Sequence, residues 1–541
     1  MTATDVEPVS NDHSSDEQIV VGSRRAFDHR DGLTFGVIVL LLVGVYWLTM
    51  GGHTYSVDGE IYLAGTRALA HGTTILDPES DMDDIVFTIP NKNGDGTTAA
   101  PIGTLLLFMP GYVLGRIASI PFPAHSQEAV LRLVYLAANS MMTALTGGLL
   151  FLLARALSAA RRSAALLAVA FGLGTWAWPH SQTDFSEPGT ALMLTAATLA
   201  AVLWWRTPTL RRAALVGLLA GCVVLTRSST LVFVPVFMIF GLSCTQVEGG
   251  PTRLRQAAAF SLGGLGPALL FAINSYVRFG SIFDNGYPNF SYATPIYEGA
   301  FGLFLSPGKG LLWYAPVCIV VVFGLRRSFI AHHRYALFVA AILAAHLAIY
   351  ARFQIWSGEN AYGPRYLIPV LPLLVALLAP IIDSGREWLR GVKVAAIAGF
   401  LIPGLLGSTM YFNGVYWDNG FAVTQNMDSP GVLTTVQQYV AYNFQPRSSP
   451  LMLHVRSLID LFHNTLDRLQ GQAGGITPLP VPYDERIHWY ARAIELDMWW
   501  AWWPSTGGTA AGYFFLLAPF GALVWSAILY RRLRREETPA R

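Results

Sequence analysis

The stretch LTFGVIVLLLVGVYWLTMGGHTYSVDGEIY, residues 33–62, decides the fold. Residues 33–50 carry no charge and have about the length that a membrane-spanning helix needs. No small-residue cleavage site follows them, so we predict a retained anchor and no removable signal peptide. An acidic segment follows this anchor directly. The pattern therefore predicts a membrane helix that delivers carboxylates to one face of the membrane.

Composition extends this prediction to the whole chain. Of its 541 residues, 53% are hydrophobic and 13% charged, and the mean hydropathy is +0.43. Soluble domains carry about 25% charged residues, so most of the surface of this protein must face lipid. The net charge of +2 gives no field that would attract nucleic acid or an acidic substrate. The three cysteines, Cys222, Cys244 and Cys318, lie in or beside apolar segments, and we predict no disulfide.

Further apolar stretches recur near residues 101–118, 129–154, 163–178, 187–205, 213–226, 229–243, 256–277, 311–325, 335–351, 366–382, 394–412 and 510–530. If the first span runs outward and residues 101–118 do not cross, nearly all the arginine-bearing loops face the cytoplasm, as the positive-inside rule requires. We therefore predict that residues 101–118 are re-entrant or interfacial. The expected fold is an all-α polytopic membrane protein with about 12 transmembrane helices, outer-face interfacial helices and both termini cytoplasmic.

The same pattern divides the chain into four parts. We predict a disordered cytoplasmic tail (1–32), a transmembrane core (33–412) with a first outer loop (51–128), an extracytoplasmic loop domain (413–509), and a last span with a basic cytoplasmic tail (510–541). The amphipathic stretch 451–469 predicts a helix within the loop domain.

Acidic residues gather in two predicted outer loops. Asp58 and Glu60 follow the first span, beside Tyr55, and a carboxylate at the mouth of a partly apolar cavity can take a proton from a hydroxyl. Asp184 and Glu187 occupy the turn between two spans. We take Asp58, Glu60 and Asp184 as candidate catalytic residues, and Tyr55 and Glu187 as candidate substrate contacts. The alternatives are a solvated loop acid at position 58 and helix capping around position 184.

Basic residues occur at the same predicted membrane face. Arg365 follows a Gly-Pro turn where a helix is expected to begin, and a helix amino terminus adds partial positive charge. Arg227 interrupts an apolar stretch, and Lys309 stands in a Ser-Pro-Gly-Lys turn. These three are candidate phosphate contacts. The alternatives are a snorkelling interfacial arginine at 227 and a simple turn around 309.

The remaining candidate substrate contacts are polar and aromatic residues of these loops: His180, Glu359, Tyr362 and Tyr366. No metal-ligand spacing stands out, and no Walker A or Rossmann glycine motif is present. We therefore expect no cofactor, although a divalent metal stays open, and no nucleotide as direct substrate.

In the order of these features the chain resembles the GT-C superfamily of membrane glycosyltransferases, especially bacterial protein O-mannosyltransferases and the aminoarabinose transferase of lipid A. The matching features are the acidic first outer loop (Asp58, Glu60), the Pro-led segment 101–115, arginine-bearing inner loops and the Gly-Pro-Arg-Tyr sequence 363–366. The resemblance covers roughly residues 33–412. This chain has Asp-Gly-Glu where relatives often have adjacent acids.

The resemblance implies an enzyme of the EC 2.4 class. It would transfer a sugar from a polyprenyl-phosphate donor to a hydroxyl of a glycan, lipid or protein, with inversion, at the outer face of the cytoplasmic membrane. Asp58 would be the general base, Glu60 a supporting acid, and Lys309, Arg365 and Arg227 the contacts of the lipid phosphate. The competing interpretation is a transporter or lipid flippase, which would also place charges between helices.

Overall fold

A computed structural model describes residues 27–77, 88–244, 250–287, 291–359, 361–412, 415, 435–469, 496–502 and 510–537. Over these residues the chain is helical, apart from one antiparallel pair of two-residue strands, Ile89–Pro90 (β1) and Gly96–Thr97 (β2). Most of the predicted tail 1–32 and much of the predicted loop domain 413–509 lie outside the described residues.

The first part of the chain forms helices α1 (His29–Thr49), α2 (Val57–Ala70), α3 (Ile102–Ser119), α4 (Ala124–Ala156), α5 (Arg161–Leu173), α6 (Ala177–Ser181), α7 (Glu187–Arg206), α8 (Leu210–Thr226), α9 (Phe233–Leu242) and α10 (Arg253–Phe279). The second part forms α11 (Ile296–Phe304), α12 (Leu311–Tyr314), α13 (Val317–Ala331), α14 (His333–Tyr350), α15 (Leu371–Ala376), α16 (Arg386–Gly399), α17 (Leu406–Thr409), α18 (Thr435–Phe444), α19 (Pro450–Leu469), α20 (Trp499–Trp502) and α21 (Leu517–Glu537). A π-helical segment, Phe400–Leu405, joins α16 to α17, and 3₁₀ turns cover Ser228–Val232, Arg365–Leu367, Pro446–Ser448 and Ala510–Leu516.

The start of α1 corrects the predicted boundary of the tail. Asp28 and Asp31 form a capping box, in which the amide of Asp31 donates to Asp28 Oδ1 at 2.8 Å. Such a box satisfies amides that have no partner inside the helix. The helix therefore begins at His29, and residues 29–32, which the sequence assigns to a disordered tail, are helical.

Helix α1 packs against α4, α5 and α21. Small residues allow this close packing, because a Cβ on Gly44 would stand 2.6 Å from Leu523 and one on Gly147 would stand 2.6 Å from Leu42. The hydroxyl of Tyr46 donates to the carbonyl of Gly172 at 2.6 Å. The first span is thus enclosed by protein on several sides.

The end of the bundle where α1 begins is basic. Asp31 accepts from both Arg155 and Arg161 at 3.0 Å. Arg30 at the start of α1 donates to the carbonyl of Glu536 near the end of α21, so both ends of the described chain lie on this side. This matches the clustering of arginines that the positive-inside rule uses. Its cytoplasmic orientation stays a prediction.

Eight helical segments among the described residues are long and apolar enough to cross a membrane: His29–Thr49, Ile102–Ser119, Ala124–Ala156, Glu187–Arg206, Arg253–Phe279, His333–Tyr350, Arg386–Thr409 and Gly512–Glu536. Together with the near absence of strand in the described residues, they establish an all-α polytopic membrane protein. The count of about 12 spans stays a prediction.

One predicted span is not a continuous helix. The apolar stretch 366–382 contains only the six-residue α15, flanked by turns, although it is almost entirely buried in protein. Pro369, Pro372 and Pro380 interrupt the backbone hydrogen-bond ladder. Irregular backbone at membrane depth is tolerated where protein surrounds it.

Helix α3 packs against the first half of α4, where Gly111 approaches the backbone of Tyr135 and Gly115 that of Leu131. Trp47, near the end of α1, contacts α4 at Ala137, so α3 lies alongside the part of α4 at and beyond the end of α1. Helix α4 has 33 residues, about 50 Å, which exceeds the ~30 Å hydrocarbon core. This arrangement is compatible with an interfacial α3, which stays a prediction.

Cysteine labelling tests that prediction. In a background with the three native cysteines replaced by alanine, Asn93→Cys and Ala124→Cys flank α3 at exposed positions. If α3 does not cross, a membrane-impermeant maleimide applied from outside labels both. Ser158→Cys, beside the basic loops, should react only after permeabilisation. Protection of position 124 together with labelling of position 158 would show that α3 spans the membrane.

Candidate functional site

The loop after α1 is anchored by the buried carboxylate of Asp184. The amide of Tyr55 donates to Asp184 Oδ2 at 2.6 Å, and the hydroxyl of Ser56 donates to Oδ1 at 2.8 Å. Ser56 also caps α2 by accepting from the amide of Gly59 at 3.1 Å. A Cβ on Gly59 would overlap the Asp184 carboxylate, so the fit requires glycine. Asp184, a sequence-predicted catalytic residue, is 0% exposed and holds the segment that carries Asp58.

Asp58 stands in the first turn of α2 with 42% of its side chain exposed. Its Oδ2 accepts from Arg365 Nη1 at 3.0 Å. This contact joins two loops that are 307 positions apart in the sequence. Asp58 is therefore a carboxylate that solvent and a ligand can reach.

Glu60 does not share this site. It pairs with Arg132 Nη1 at 2.5 Å, because residues two apart on a helix point in different directions. Burial alone would raise the pKa of Glu60, but the Arg132 guanidinium holds it below its usual value. The predicted supporting acid is thus an ion-pair partner that fastens α2 to α4.

Four charged side chains form a continuous row, which we call the ion chain: Asp58, Arg365, Glu187 and Arg227. Glu187 Oε1 lies 2.7 Å from Arg227 Nη1 and 3.9 Å from Arg365 Nε. Glu187 is 2% exposed, whereas Asp58 at the other end of the row faces solvent. Two carboxylates and two guanidinium groups balance, which is what makes burial of such charges tolerable.

Aromatic rings line the ion chain. The guanidinium carbon of Arg227 lies 5.3 Å from the ring centroid of Tyr350 and 5.1 Å from that of Tyr366. That of Arg365 lies 4.5 Å from the centroid of Phe185 and 5.0 Å from Tyr366. The negative faces of these rings hold both cations in place. Tyr366, a predicted substrate contact, therefore lies between the two arginines.

Arg365 reaches this position by a tight turn and not from a regular helix. It begins the three-residue 3₁₀ turn Arg365–Leu367, so the predicted helix amino terminus is absent there. Gly358 adopts φ +68°, and a Cβ on it would stand 2.8 Å from Arg365 Cγ. The loop thus packs closely against Arg365. Because no helix begins at this position, only the charge of the guanidinium group can attract an anion here.

Lys309, a predicted phosphate contact, binds backbone carbonyls of a neighbouring loop instead. Its ammonium donates to the carbonyls of Glu359 (2.7 Å) and Ala361 and lies 4.9 Å from the ring centroid of Tyr442. Burial lowers the pKa of Lys309 well below its usual value. We therefore assign Lys309 to holding the loop that leads to Arg365. The side chain of Glu359, a predicted substrate contact, belongs to an exposed residue of that loop.

His180 and Tyr362 lie beneath the site. His180 Nε2 is 2.7 Å from the carbonyl of Tyr362, and both residues are 0% exposed. Burial lowers the pKa of His180 to about 4, so its ring is neutral near pH 7. These two predicted substrate contacts support the loop before Arg365 and do not line an open surface.

A second buried cluster was missed by sequence reasoning. Asp497 accepts from the hydroxyl of Tyr55, and its Oδ1 lies 2.7 Å from His53 Nε2. The amide of Asp497 donates to the carbonyl of Thr409 at 2.9 Å. Tyr55, a predicted substrate contact, is therefore buried in a network that ties three distant segments together. The 444 positions between His53 and Asp497 left no local signal for this pair.

The arrangement leaves one accessible carboxylate in the ion chain, Asp58, next to Arg365, with Arg227 at the far end of the row; the side chains of these arginines are 12% and 21% exposed. Such a carboxylate can accept a proton, and the cations can stabilise negative charge on a ligand. No group of three or more metal-binding side chains occurs within the described ranges.

No protein-family model and no curated protein matches the chain. Among solved structures it is similar to ArnT from Cupriavidus metallidurans in the apo state (13% identity, 89% of this chain, 90% of that chain, TM-score 0.44). It is also similar to ArnT bound to undecaprenyl phosphate (13%, 84%, 74%, TM-score 0.41). A third similar structure is the Archaeoglobus fulgidus oligosaccharyltransferase tethered with an acceptor peptide (12%, 85%, 63%, TM-score 0.42).

ArnT and the oligosaccharyltransferase are glycosyltransferases of the GT-C fold, the superfamily that the sequence resembles. The likeness is weak and concerns the fold, so it assigns neither an activity nor a site residue to this chain. The described helices and the ion chain define the class: an all-α polytopic membrane protein with a charged site at the end of the bundle opposite its basic loops.

The pKa of Asp184 predicts a pH dependence of stability. Burial raises this pKa from 3.8 to about 7, so between these values the folded protein keeps a proton that the unfolded chain releases. Stability should therefore fall as pH rises from about 4 to 7 and level off above 7. We expect Asp184→Asn to remove this slope from thermal midpoints measured between pH 5 and 8 in detergent. Parallel pH profiles for the two proteins would contradict the assignment.

Proposed function

We propose that the protein transfers a sugar from a polyprenyl-phosphate-linked donor to a hydroxyl of an envelope glycan, lipid or protein, with inversion and without a cofactor. The reaction takes place at the outer face of the cytoplasmic membrane. The observation that carries this proposal is the pairing of an accessible carboxylate, Asp58, with Arg365 in the ion chain. The sequence resemblance to GT-C enzymes supports the same reaction class.

In this reaction Asp58 takes the proton from the acceptor hydroxyl. The acceptor oxygen attacks the anomeric carbon while the bond from that carbon to the phosphate oxygen breaks, and the lipid phosphate leaves with the electron pair. The negative charge that develops on the phosphate is stabilised by Arg365, while Arg227 lies beyond Glu187 at the far end of the row. Arg365 therefore connects the base to the leaving group.

The contact between Arg365 and Asp58 also implies a rearrangement. A phosphate that approaches Arg365 competes with the Asp58 carboxylate for the same guanidinium group. Once the phosphate takes over, the Asp58 carboxylate is released from Arg365 and can accept a hydrogen bond from the acceptor hydroxyl. Donor binding would thus prepare the base for the acceptor.

Replacement of Asp58 tests the proposal. Asp58→Asn keeps the size of the side chain but removes the proton acceptor, so turnover should fall by about a hundredfold or more. Turnover is measured on purified protein in nanodiscs with polyprenyl-phosphate sugar donors. Asp95→Asn, which alters an exposed acid of the same outer loop, is the matched control and should retain activity. Near-normal turnover of the Asp58 variant would remove it as the base.

Replacement of Arg365 tests the second half of the proposal. Arg365→Gln loses a charge-assisted hydrogen bond in a largely dry site, so donor affinity should weaken by about tenfold or more. Arg326→Gln, an exposed arginine of α13, is the control and should leave the Kd unchanged. Donor titrations by intrinsic fluorescence provide the measurement. The flippase interpretation replaces this one if neither the wild type nor any variant transfers sugar, and if the wild type moves labelled lipid across the bilayer of vesicles that have the same lipid composition as the nanodiscs.

A further inference from the structure

The loop that carries Arg365 contains strained backbone. We call residues 356–359 and 361–365 the arginine loop. Glu359 in this loop adopts φ +55°, in the left-handed region, which a residue with a side chain rarely occupies unless its surroundings hold it there. The preceding Gly358 packs directly against the side chain of Arg365. The position of Arg365 therefore depends on what holds the turn at residues 358–359.

The side chain of Lys309 holds this turn by its backbone. Its Nζ donates to the carbonyls of Glu359 (2.7 Å) and Ala361, and it lies 4.9 Å from the ring centroid of Tyr442. An ammonium group has three N–H bonds, and two carbonyls and one aromatic face give each of them a partner. Tyr442 thus completes the surroundings of the group that holds the turn.

Helix α18, in the loop domain, carries Tyr442 and packs closely against the backbone beside Lys309. The amide of Gly308 donates to the carbonyl of Asn443 at 3.1 Å. A Cβ on Gly308 would overlap the carbonyl oxygen of Tyr442, so this approach requires glycine. The end of α18 is therefore fixed relative to Lys309 by backbone contacts as well as by the tyrosine ring.

A second residue of α18, Tyr439, reaches the start of the arginine loop. The indole Nε1 of Trp356, which is 0% exposed, donates to the hydroxyl of Tyr439 at 2.6 Å. The same hydroxyl donates to Glu298 Oε1 at 3.0 Å. The two rings also meet edge to face, with centroids 6.3 Å apart. Helix α18 thus supports the arginine loop at Trp356 and, through Lys309, at the strained turn.

We infer that α18 sets the position of Arg365 toward Asp58, and that Tyr439 and Tyr442 are positioning residues for the anion that Arg365 binds. Both tyrosines act through the arginine loop. For the identity of the anion the inference rests on the proposed function, in which Arg365 stabilises the leaving phosphate. Affinity at the ion chain is then a property of the loop domain as well as of the transmembrane core.

The competing explanation is that α18 only stabilises the fold. A double-mutant cycle separates the two explanations. If Tyr442 acts through Arg365, then Tyr442→Leu has little further effect on anion binding once Arg365→Gln has removed the cation. If Tyr442 acts on the fold in general, Tyr442→Leu reduces binding by the same factor in both backgrounds.

The first measurement is the binding of a polyprenyl monophosphate to the whole protein in nanodiscs. We expect Tyr442→Leu to weaken binding by about fivefold or more. Tyr442→Phe keeps the ring face over Lys309 and should stay within about twofold of the wild type. Tyr439→Phe should also weaken binding, because it leaves the buried indole N–H of Trp356 without its acceptor.

Val440→Ala is the matched control, since Val440 lies in the same helix and is 41% exposed. It should bind the monophosphate like the wild type. Thermal midpoints verify that each variant is folded before binding is measured.

The second measurement is hydrogen exchange of the arginine loop without ligand, followed by mass spectrometry. We expect faster exchange in Tyr442→Leu but not in Val440→Ala, because only the first variant removes support from the turn. This measurement does not depend on the substrate. If the wild type fails to bind the monophosphate, or binds it and transfers no sugar, the proposed function fails while exchange still reports whether α18 holds the loop.

Three results would overturn the inference. The first is unchanged monophosphate affinity in Tyr442→Leu. The second is an equal loss of affinity from Tyr442→Leu with and without Arg365→Gln. The third is unchanged hydrogen exchange of the arginine loop in Tyr442→Leu.

Discussion

The position of Asp58 depends on one buried carboxylate, that of Asp184. It accepts from the amide of Tyr55 and the hydroxyl of Ser56, and these contacts fix the chain where it leaves α1 and enters α2. Gly59 is part of the same constraint, because any larger side chain would displace the carboxylate. The burial that makes Asp184 a good anchor also keeps it from a substrate, whereas Asp58, in the first turn of α2, remains accessible.

The ion chain is stable at rest because its charges balance, and the same balance limits what it can bind. An added phosphate brings an extra negative charge, which either displaces Asp58 from Arg365 or needs a further cation. A phosphate that takes over Arg365 therefore leaves the Asp58 carboxylate without the cation that it contacts in the resting row.

Hydropathy and charge were sufficient to predict the class of fold, because lipid imposes long apolar helices and the basic loops gather at one end. They also placed Asp58, Glu187, Arg227 and Arg365 among the candidates, although nothing local could show that these four meet. Glu60 and Lys309 were assigned by charge and position, and the structure gives both of them other partners. Side-chain direction and distant pairing decide such cases, and a single sequence contains neither.

Distant pairing is clearest at Asp497, which connects the loop domain to the site. Its carboxylate accepts from the hydroxyl of Tyr55 and lies beside His53, and its amide donates to the carbonyl of Thr409. Two residues further on, the amide of Trp499 donates to the carbonyl of Met50. The described residues at the end of the loop domain are thus fastened to the few residues between α1 and α2 and to Thr409 in α17. Because Asp184 also holds Tyr55 and Ser56, the segment that leads to Asp58 is fixed by side chains from two distant parts of the chain, and it has little freedom to move without breaking these contacts.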